Sequence, residues 1–92
     1  MEERERKLWK LHLKVSRLTI NLIKEQQRLT ITLNQLFLSG SLSEDGQSEL
    51  SHRIDLTKMA ICDVKEKDLL IIDKLIEINL PKIKNYKLYL AN

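Results

Sequence analysis

His12, His52 and Cys62 carry the soft donor atoms with which proteins bind transition metals. A zinc site needs such ligands within about 2–2.3 Å of one ion. Asp68 and Asp73, which lie among aliphatic residues, could act as an acid–base pair if they shared a pocket. Whether any of these groups meet depends on the elements that carry them.

The composition indicates an all-α protein. Leu and Ile supply 28 of the 92 residues, whereas the chain has two glycines and one proline. So few turn-forming residues exclude a turn-rich sandwich or barrel, and 32% charged with 42% hydrophobic residues is typical of amphipathic helices. A single cysteine fits a reducing compartment, and the charged N-terminus lacks the apolar segment of a secretory signal. We therefore expect an intracellular protein, cytoplasmic or nuclear, that does not enter a membrane.

The first periodic segment predicts a helix over about residues 2–38. Its main apolar stripe consists of Leu8, Leu11, Val15, Leu18, Leu22, Gln26, Leu29, Leu33 and Leu36. Two successive steps of four around Leu22 interrupt this heptad like a stutter. A second stripe consists of Trp9, Leu13, Ile20, Ile23, Ile31 and Leu38. The alternation in HLKVS and RLTITLN leaves a strand as the alternative.

Residues 39–48 predict an interhelical loop, because they contain both glycines and four serines. Gly40 can end the first helix in a left-handed conformation, and either Ser43 or Ser48 can cap the second. The second helix is expected over about 47–80, since Pro81 disfavours helical geometry at the preceding residue. Residues 82–92 then form a basic C-terminal tail, either a short helix or an extended arm.

The second helix also has two apolar stripes. One consists of Leu50, Ile54, Thr57, Ile61, Val64, Asp68, Ile71, Leu75 and Ile78, and the other of Met59, Cys62, Leu69, Ile72 and Ile76. A short connection makes the two helices antiparallel neighbours, with facing residue numbers that sum to roughly 86. Their charges agree: residues 1–39 hold eight Lys/Arg against four Asp/Glu, and residues 40–81 hold five against nine.

A two-helix hairpin buries one stripe per helix, so the second stripes require further helices. The single domain 1–92 is therefore predicted to be completed as a helical bundle or coiled coil, by self-association or by other helical subunits. The expected partner interface comprises Leu11, Val15, Leu18, Leu22, Leu29, Leu33, Ile61, Leu69, Ile72 and Ile76. This favours a non-enzymatic structural or adaptor subunit of a multi-protein complex.

The same hairpin separates His12, His52 and Cys62 along a rod, which predicts no metal site, and no cofactor motif is present. We expect Asp68 to meet a Lys or Arg of a neighbouring chain or to specify register, not to serve catalysis.

In length the chain resembles the all-helical chorismate mutases, whose sites use Arg, Lys, Glu and Gln. That resemblance would implicate Arg17, Lys24, Arg28 and Gln35 in a dimeric helical enzyme, although the same residues suit a solvated helix face.

The open end of the hairpin suggests another alternative, a nucleic-acid-binding accessory factor. Basic residues gather there with Trp9, Tyr86 and Tyr89, and such mixtures bind phosphates and stack bases. The candidate contacts to nucleic acid or an acidic partner are Lys7, Lys10, Lys14, Lys82, Lys84 and Lys87. Glu2, Glu3 and Glu5 dilute this field, and the net charge is only +3. A protein partner is therefore preferred.

Overall fold

The chain folds into a helical hairpin. The computed structural model describes the backbone of residues 2–91 and the side chains of residues 2–81. Helix α1 spans Glu3–Leu38 and helix α2 spans Glu44–Ala91. The two pack antiparallel in a rod with extents of 68 × 27 × 15 Å. Residues 2–91 form no strand, so the strand alternative for HLKVS and RLTITLN is wrong.

The turn between the helices is closed by hydrogen bonds at both ends. Gly40 has a φ of 71°, and the N–H groups of Ser41 and Gly40 donate to the carbonyls of Leu36 and Phe37, which is a Schellman motif. At the other end, the Ser43 hydroxyl accepts from the Gly46 N–H at 3.0 Å. The prediction for Gly40 is confirmed, and Ser43 rather than Ser48 caps α2.

Helix α2 is longer at both ends than the sequence predicts. It begins at Glu44, three residues before the expected start, because the Ser43 cap leaves a loop of residues 39–43 instead of 39–48. It also continues through Pro81 to Ala91, so the expected stop at Leu80 is wrong. A proline removes one helical hydrogen bond and crowds one carbonyl, which kinks a helix without always ending it. The following segment, KIKNYKLYLA, contains no glycine or second proline.

An unbroken heptad pattern joins the two helices along what we call the seam. In α2 the seam residues are the predicted main stripe, from Leu50 to Ile78, and all are buried or half-buried. In α1 the seam residues are Leu8, His12, Val15, Thr19, Leu22, Gln26, Leu29, Leu33 and Leu36. Both sets alternate steps of four and three, as in a coiled coil.

The α1 seam corrects the predicted stripe at two positions. His12 and Thr19 are half-buried, whereas Leu11 and Leu18 are 46% and 48% exposed. With His12 and Thr19 in place, the steps of four and three continue without a stutter. The Thr19 hydroxyl donates to the Val15 carbonyl at 3.0 Å, so its polar group is satisfied inside the helix.

The core of the hairpin is thin for a chain of this size. The buried aliphatic side chains are Leu29, Ile61, Ile71 and Leu75, at 4–8% exposure. The radius of gyration is 20.7 Å, against about 12 Å for a compact chain of this length. The accessible surface is 7553 Å², against about 5,500 Å² for a compact monomer of 10.8 kDa. The chain therefore exposes about 2,000 Å² that a compact fold would cover.

Candidate partner-binding surface

A hydrogen-bonded polar pair links the helices within the seam. The Nδ1 atom of His12 lies 2.6 Å from Oδ1 of Asp68, and the two side chains are 25% and 19% exposed. An ionised carboxylate only accepts, so Nδ1 of His12 carries the donated proton. Trp9 contacts the His12 ring edge-on, with a centroid separation of 5.8 Å. Asp68 thus finds its partner in its own chain, not in the Lys or Arg of a neighbour that the sequence suggested.

The bond between His12 and Asp68 also fixes the register of the hairpin. Their residue numbers sum to 80, whereas the sequence predicts about 86 for facing positions. The difference follows from the shorter loop, whose centre is Ser41 and not Ser43. The residue of α2 that faces a given residue of α1 therefore lies about four to six positions earlier in the sequence than predicted.

A groove between the helices shows which side chains share a flank of the hairpin. It has a volume of about 240 Å³ and is lined by Trp9 and His12 of α1 and by Ile72, Leu75, Ile76 and Asn79 of α2. Trp9 and Ile72 each follow a seam residue by one position, Leu8 and Ile71 respectively. One residue turns an α-helix by about 100°, so side chains one step after the seam point to one flank. In an antiparallel pair these flanks coincide, as the shared groove shows.

The second apolar stripes of the two helices meet on this flank. Nine apolar side chains each follow a seam residue by one position, and Phe37 lies apart from the others beside the loop. We call the other eight the apolar face: Trp9, Leu13, Ile20, Ile23, Cys62, Leu69, Ile72 and Ile76. Leu13, Ile20, Leu69 and Ile76 are 50–59% exposed. Ile23 and Ile72 are half-buried, and the Cys62 thiol is exposed. Ser16 and Lys65 occupy the same positions within this range and interrupt the face. An exposed surface that is apolar at most of its positions is typical of an interaction site.

The opposite flank is less apolar. It carries the side chains one step before the seam, among them Leu11, Leu18, Leu56 and Leu70, which are 46–63% exposed. The same flank of α2 also carries Arg53, Ala60, Lys67 and Lys74, each one step before a seam residue. The two flanks therefore differ, and the apolar face is the more continuous.

The predicted interface residues divide between three places. Val15, Leu22, Leu29, Leu33 and Ile61 lie in the seam and pack the two helices of one chain together. Leu69, Ile72 and Ile76 lie on the apolar face, and Leu11 and Leu18 lie on the opposite flank. The sequence prediction missed Trp9, Leu13, Ile20 and Ile23 as members of one surface with them. The signal that finds these residues is their common position, one step after the seam.

The basic residues of α1 that are predicted to contact acidic partners share one outer side of that helix, because they are spaced by three and four residues. Lys7, Lys10 and Lys14 are exposed, and Lys7 pairs with Glu3 at 3.4 Å within the helix. The side chains of Lys82, Lys84 and Lys87 lie outside the described residues. Because a neighbouring carboxylate offsets part of its charge, Lys7 contributes less than a free lysine to any phosphate-binding surface.

The residues that the chorismate mutase resemblance would implicate lie on the outer side of α1. Arg17, Lys24, Arg28 and Gln35 are all exposed and far from the seam. Arg28 donates to the Glu25 carboxylate from Nε at 3.0 Å and from Nη2. These hydrogen bonds lower the pKa of Glu25 below its ordinary value of 4.5, and the same bonds raise the pKa of Arg28.

The soft ligands do not converge. His12 lies in the seam, and His52 and Cys62 are exposed on α2, so the part of the chain with described side chains contains no group of three His, Cys, Asp or Glu able to hold a metal ion. In the same part of the chain, neither helix contains a stretch long and apolar enough to cross a bilayer.

Comparisons with protein-family models, curated proteins and solved structures found no match for this chain.

Proposed function

We propose that this chain is a non-enzymatic structural or adaptor subunit that enters a multi-protein assembly by burying its apolar face against other helices. The observation that carries the proposal is the apolar face itself, on which Trp9, Ile20, Leu69 and Ile76 remain 42–59% exposed in the hairpin. Covering such side chains contributes about 25 cal/mol per Å² of apolar area, so a partner helix gains affinity from each of them.

The surface area supports the same proposal. The hairpin exposes about 2,000 Å² more than a compact monomer of its mass. A stable protein interface removes about 800 Å² from each partner. The excess therefore provides room for two interfaces of ordinary size and for part of a third.

The proposed mechanism is helix packing, in which apolar side chains drive binding and charged side chains provide specificity. Aliphatic residues of the apolar face would insert between residues of the partner helices, as in coiled coils. Charged residues beside the face would contribute at most about 1 kcal/mol each, and so would choose among partners more than drive binding. No catalytic step is part of this proposal.

Cys62 allows a direct test, because its thiol is exposed in the hairpin and belongs to the apolar face. We would label thiols with a maleimide in extracts of cells that express the chain, before and after denaturation, and measure the mass of the chain's assembly by size exclusion. Protection of Cys62 in a species heavier than the monomer is expected. A monomeric chain whose Cys62 reacts as fast before as after denaturation would refute the proposal.

A further inference from the structure

The apolar face is not uniform along the rod, and its asymmetry restricts what can cover it. All eight apolar residues lie in the half away from the loop, between residues 9–23 of α1 and 62–76 of α2. In the half near the loop, the same heptad positions carry polar side chains except for Phe37, which is 72% exposed beside the loop. The polar residues are Gln27, Thr30, Asn34, Ser51, Asp55 and Lys58. A well-matched partner must therefore be apolar over one half of its length and polar over the other.

Charged residues of opposite sign border the apolar face on its two long edges. Lys10, Arg17 and Lys24, each two positions after a seam residue, form the outer edge of α1. The equivalent positions of α2 hold Glu66 and Asp73. All five side chains are exposed. One edge of the face is therefore basic and the other acidic.

We infer that a second copy of this chain covers the apolar face, with a twofold axis parallel to the helices and both loops at the same end, forming a four-helix bundle. This inference rests on the proposed function and names its partner. A twofold axis makes the same patch serve on both subunits, so the patch must complement itself. The apolar face does so in this arrangement.

The parallel axis places α1 of one chain against α2 of the other at the same height. The apolar halves then coincide, and the polar halves coincide near the loops. In the register set by His12 and Asp68, residue 10 lies level with about residue 70, within one helical turn of Asp73. Arg17 lies within one turn of Glu66 by the same relation. The basic edge of each chain therefore meets the acidic edge of its partner at Lys10 with Asp73 and at Arg17 with Glu66.

The other twofold arrangement of the same faces is unfavourable. An axis perpendicular to the helices would place α1 on α1 and α2 on α2, with the loops at opposite ends. Basic edges would then face basic edges. With the two rods overlapping along their full length, the apolar half of one chain would also lie over the polar half of the other. Like charges opposed across an interface are destabilising, and apolar side chains set against polar ones lose burial.

Adjacent leucines provide the first test. Leu69 and Leu70 are 59% and 63% exposed, but Leu69 belongs to the apolar face whereas Leu70 lies one step before the seam, on the opposite flank. We would measure the mass of the purified full-length chain by light scattering across a concentration series, with circular dichroism on the same samples. Leu69→Glu should weaken dimerisation by at least about thirtyfold, and Leu70→Glu by less than about threefold. Neither change removes a buried contact within the hairpin.

Charge exchange tests the arrangement itself. The Lys10→Glu/Arg17→Glu variant and the Glu66→Lys/Asp73→Lys variant should each form homodimers about tenfold more weakly than the wild type, because each opposes like charges at two pairs on both symmetric edges. Mixed together, they should form a heterodimer of near wild-type affinity, since every edge contact again joins opposite charges. A mixture that does not recover dimerisation would refute the parallel arrangement.

The outcomes also separate this inference from the proposed function. A chain that is monomeric at every concentration, or one whose association is lost with Leu70→Glu and kept with Leu69→Glu, overturns the inference. If Cys62 is nevertheless protected in a heavy assembly in cell extracts, the proposed function stands with a different polypeptide as partner. If Cys62 is reactive there and the chain is monomeric, both fail.

Discussion

His12 of α1 donates a hydrogen bond of 2.6 Å to Asp68 of α2, 56 positions away in sequence. The pair lies in the seam, and each side chain is at least three-quarters covered. It therefore ties the two helices together at one height of the rod. A slip by one heptad would leave both groups partly buried without partners, which costs about 1–3 kcal/mol for each group.

This relationship predicts a measurable coupling. His12→Ala and Asp68→Ala should each lower the free energy of unfolding by about 1–2 kcal/mol, and the double variant should lose less than the sum, by about 1 kcal/mol. Urea denaturation of the four proteins measures the cycle. Ser16→Ala, half-buried one turn along α1, is the control and should change stability by less than about 0.5 kcal/mol. Strict additivity of the two alanine variants would show that the bond contributes nothing to the hairpin.

The cap of α2 gives a second prediction, for which the chain provides its own control. Ser43 accepts a hydrogen bond from the Gly46 N–H, whereas Ser48 lies exposed inside the first turns of the helix. Ser43→Ala should reduce stability by about 1 kcal/mol, because an N–H at the helix end loses its acceptor. Ser48→Ala should be neutral or slightly stabilising, since alanine has the higher helix propensity. Thermal unfolding of both variants, followed by circular dichroism, compares them. A larger loss with Ser48→Ala would move the helix start from Glu44 to about Glu49.

How much the sequence reveals differs between the two helices for a physical reason. In α2 nearly every seam residue is aliphatic, so hydrophobic periodicity identifies the buried face. In α1 the seam contains His12 and Thr19, and Leu11 and Leu18 lie next to it. Hydrophobic periodicity therefore assigns the two leucines, not His12 and Thr19, to the buried face. The polar residues are tolerated because Asp68 and the Val15 carbonyl satisfy them. The Asp68 partner lies on the other helix, so no local pattern could reveal it.

The candidate surface was predictable in outline. The sequence shows that each helix has two apolar stripes, but not that the second stripes meet on one flank. The meeting of the second stripes can be deduced only after the seam is known. Trp9 and Leu69 are assigned to a flank by whether they come before or after a seam residue in the sequence. An error of one residue in the seam transfers Leu11 or Leu18 from the opposite flank into the core. The composition of this surface therefore depends on the register between the two helices, and that register is set by contacts between residues far apart in sequence.

The ion pair of Glu25 with Arg28 predicts a small pH effect on stability. Its hydrogen bond lowers the pKa of Glu25 in the folded chain below the ordinary value of 4.5. A carboxylate with a depressed folded pKa stabilises the fold above its unfolded pKa, and this contribution is lost as pH falls through the folded pKa. NMR titration of Glu25 should therefore give a pKa below 4.5, and Arg28→Gln should return it towards that value. A Glu25 pKa that does not respond to Arg28→Gln would contradict the assigned cause.

Pro81 lies inside α2, and its replacement should lengthen or stabilise that helix. Proline has no N–H to donate to the carbonyl four residues earlier, that of Glu77, and its ring crowds that carbonyl. Pro81→Ala restores the missing bond, so we expect higher helicity and a gain of about 1–3 kcal/mol in the free energy of unfolding. Circular dichroism and urea denaturation would measure both. Leu80→Ala is the matched control, because it changes a 40% exposed neighbour without altering the backbone donors. If the helix instead ended before Pro81, the alanine variant would gain neither helicity nor stability, since no interrupted hydrogen bond would be there to restore.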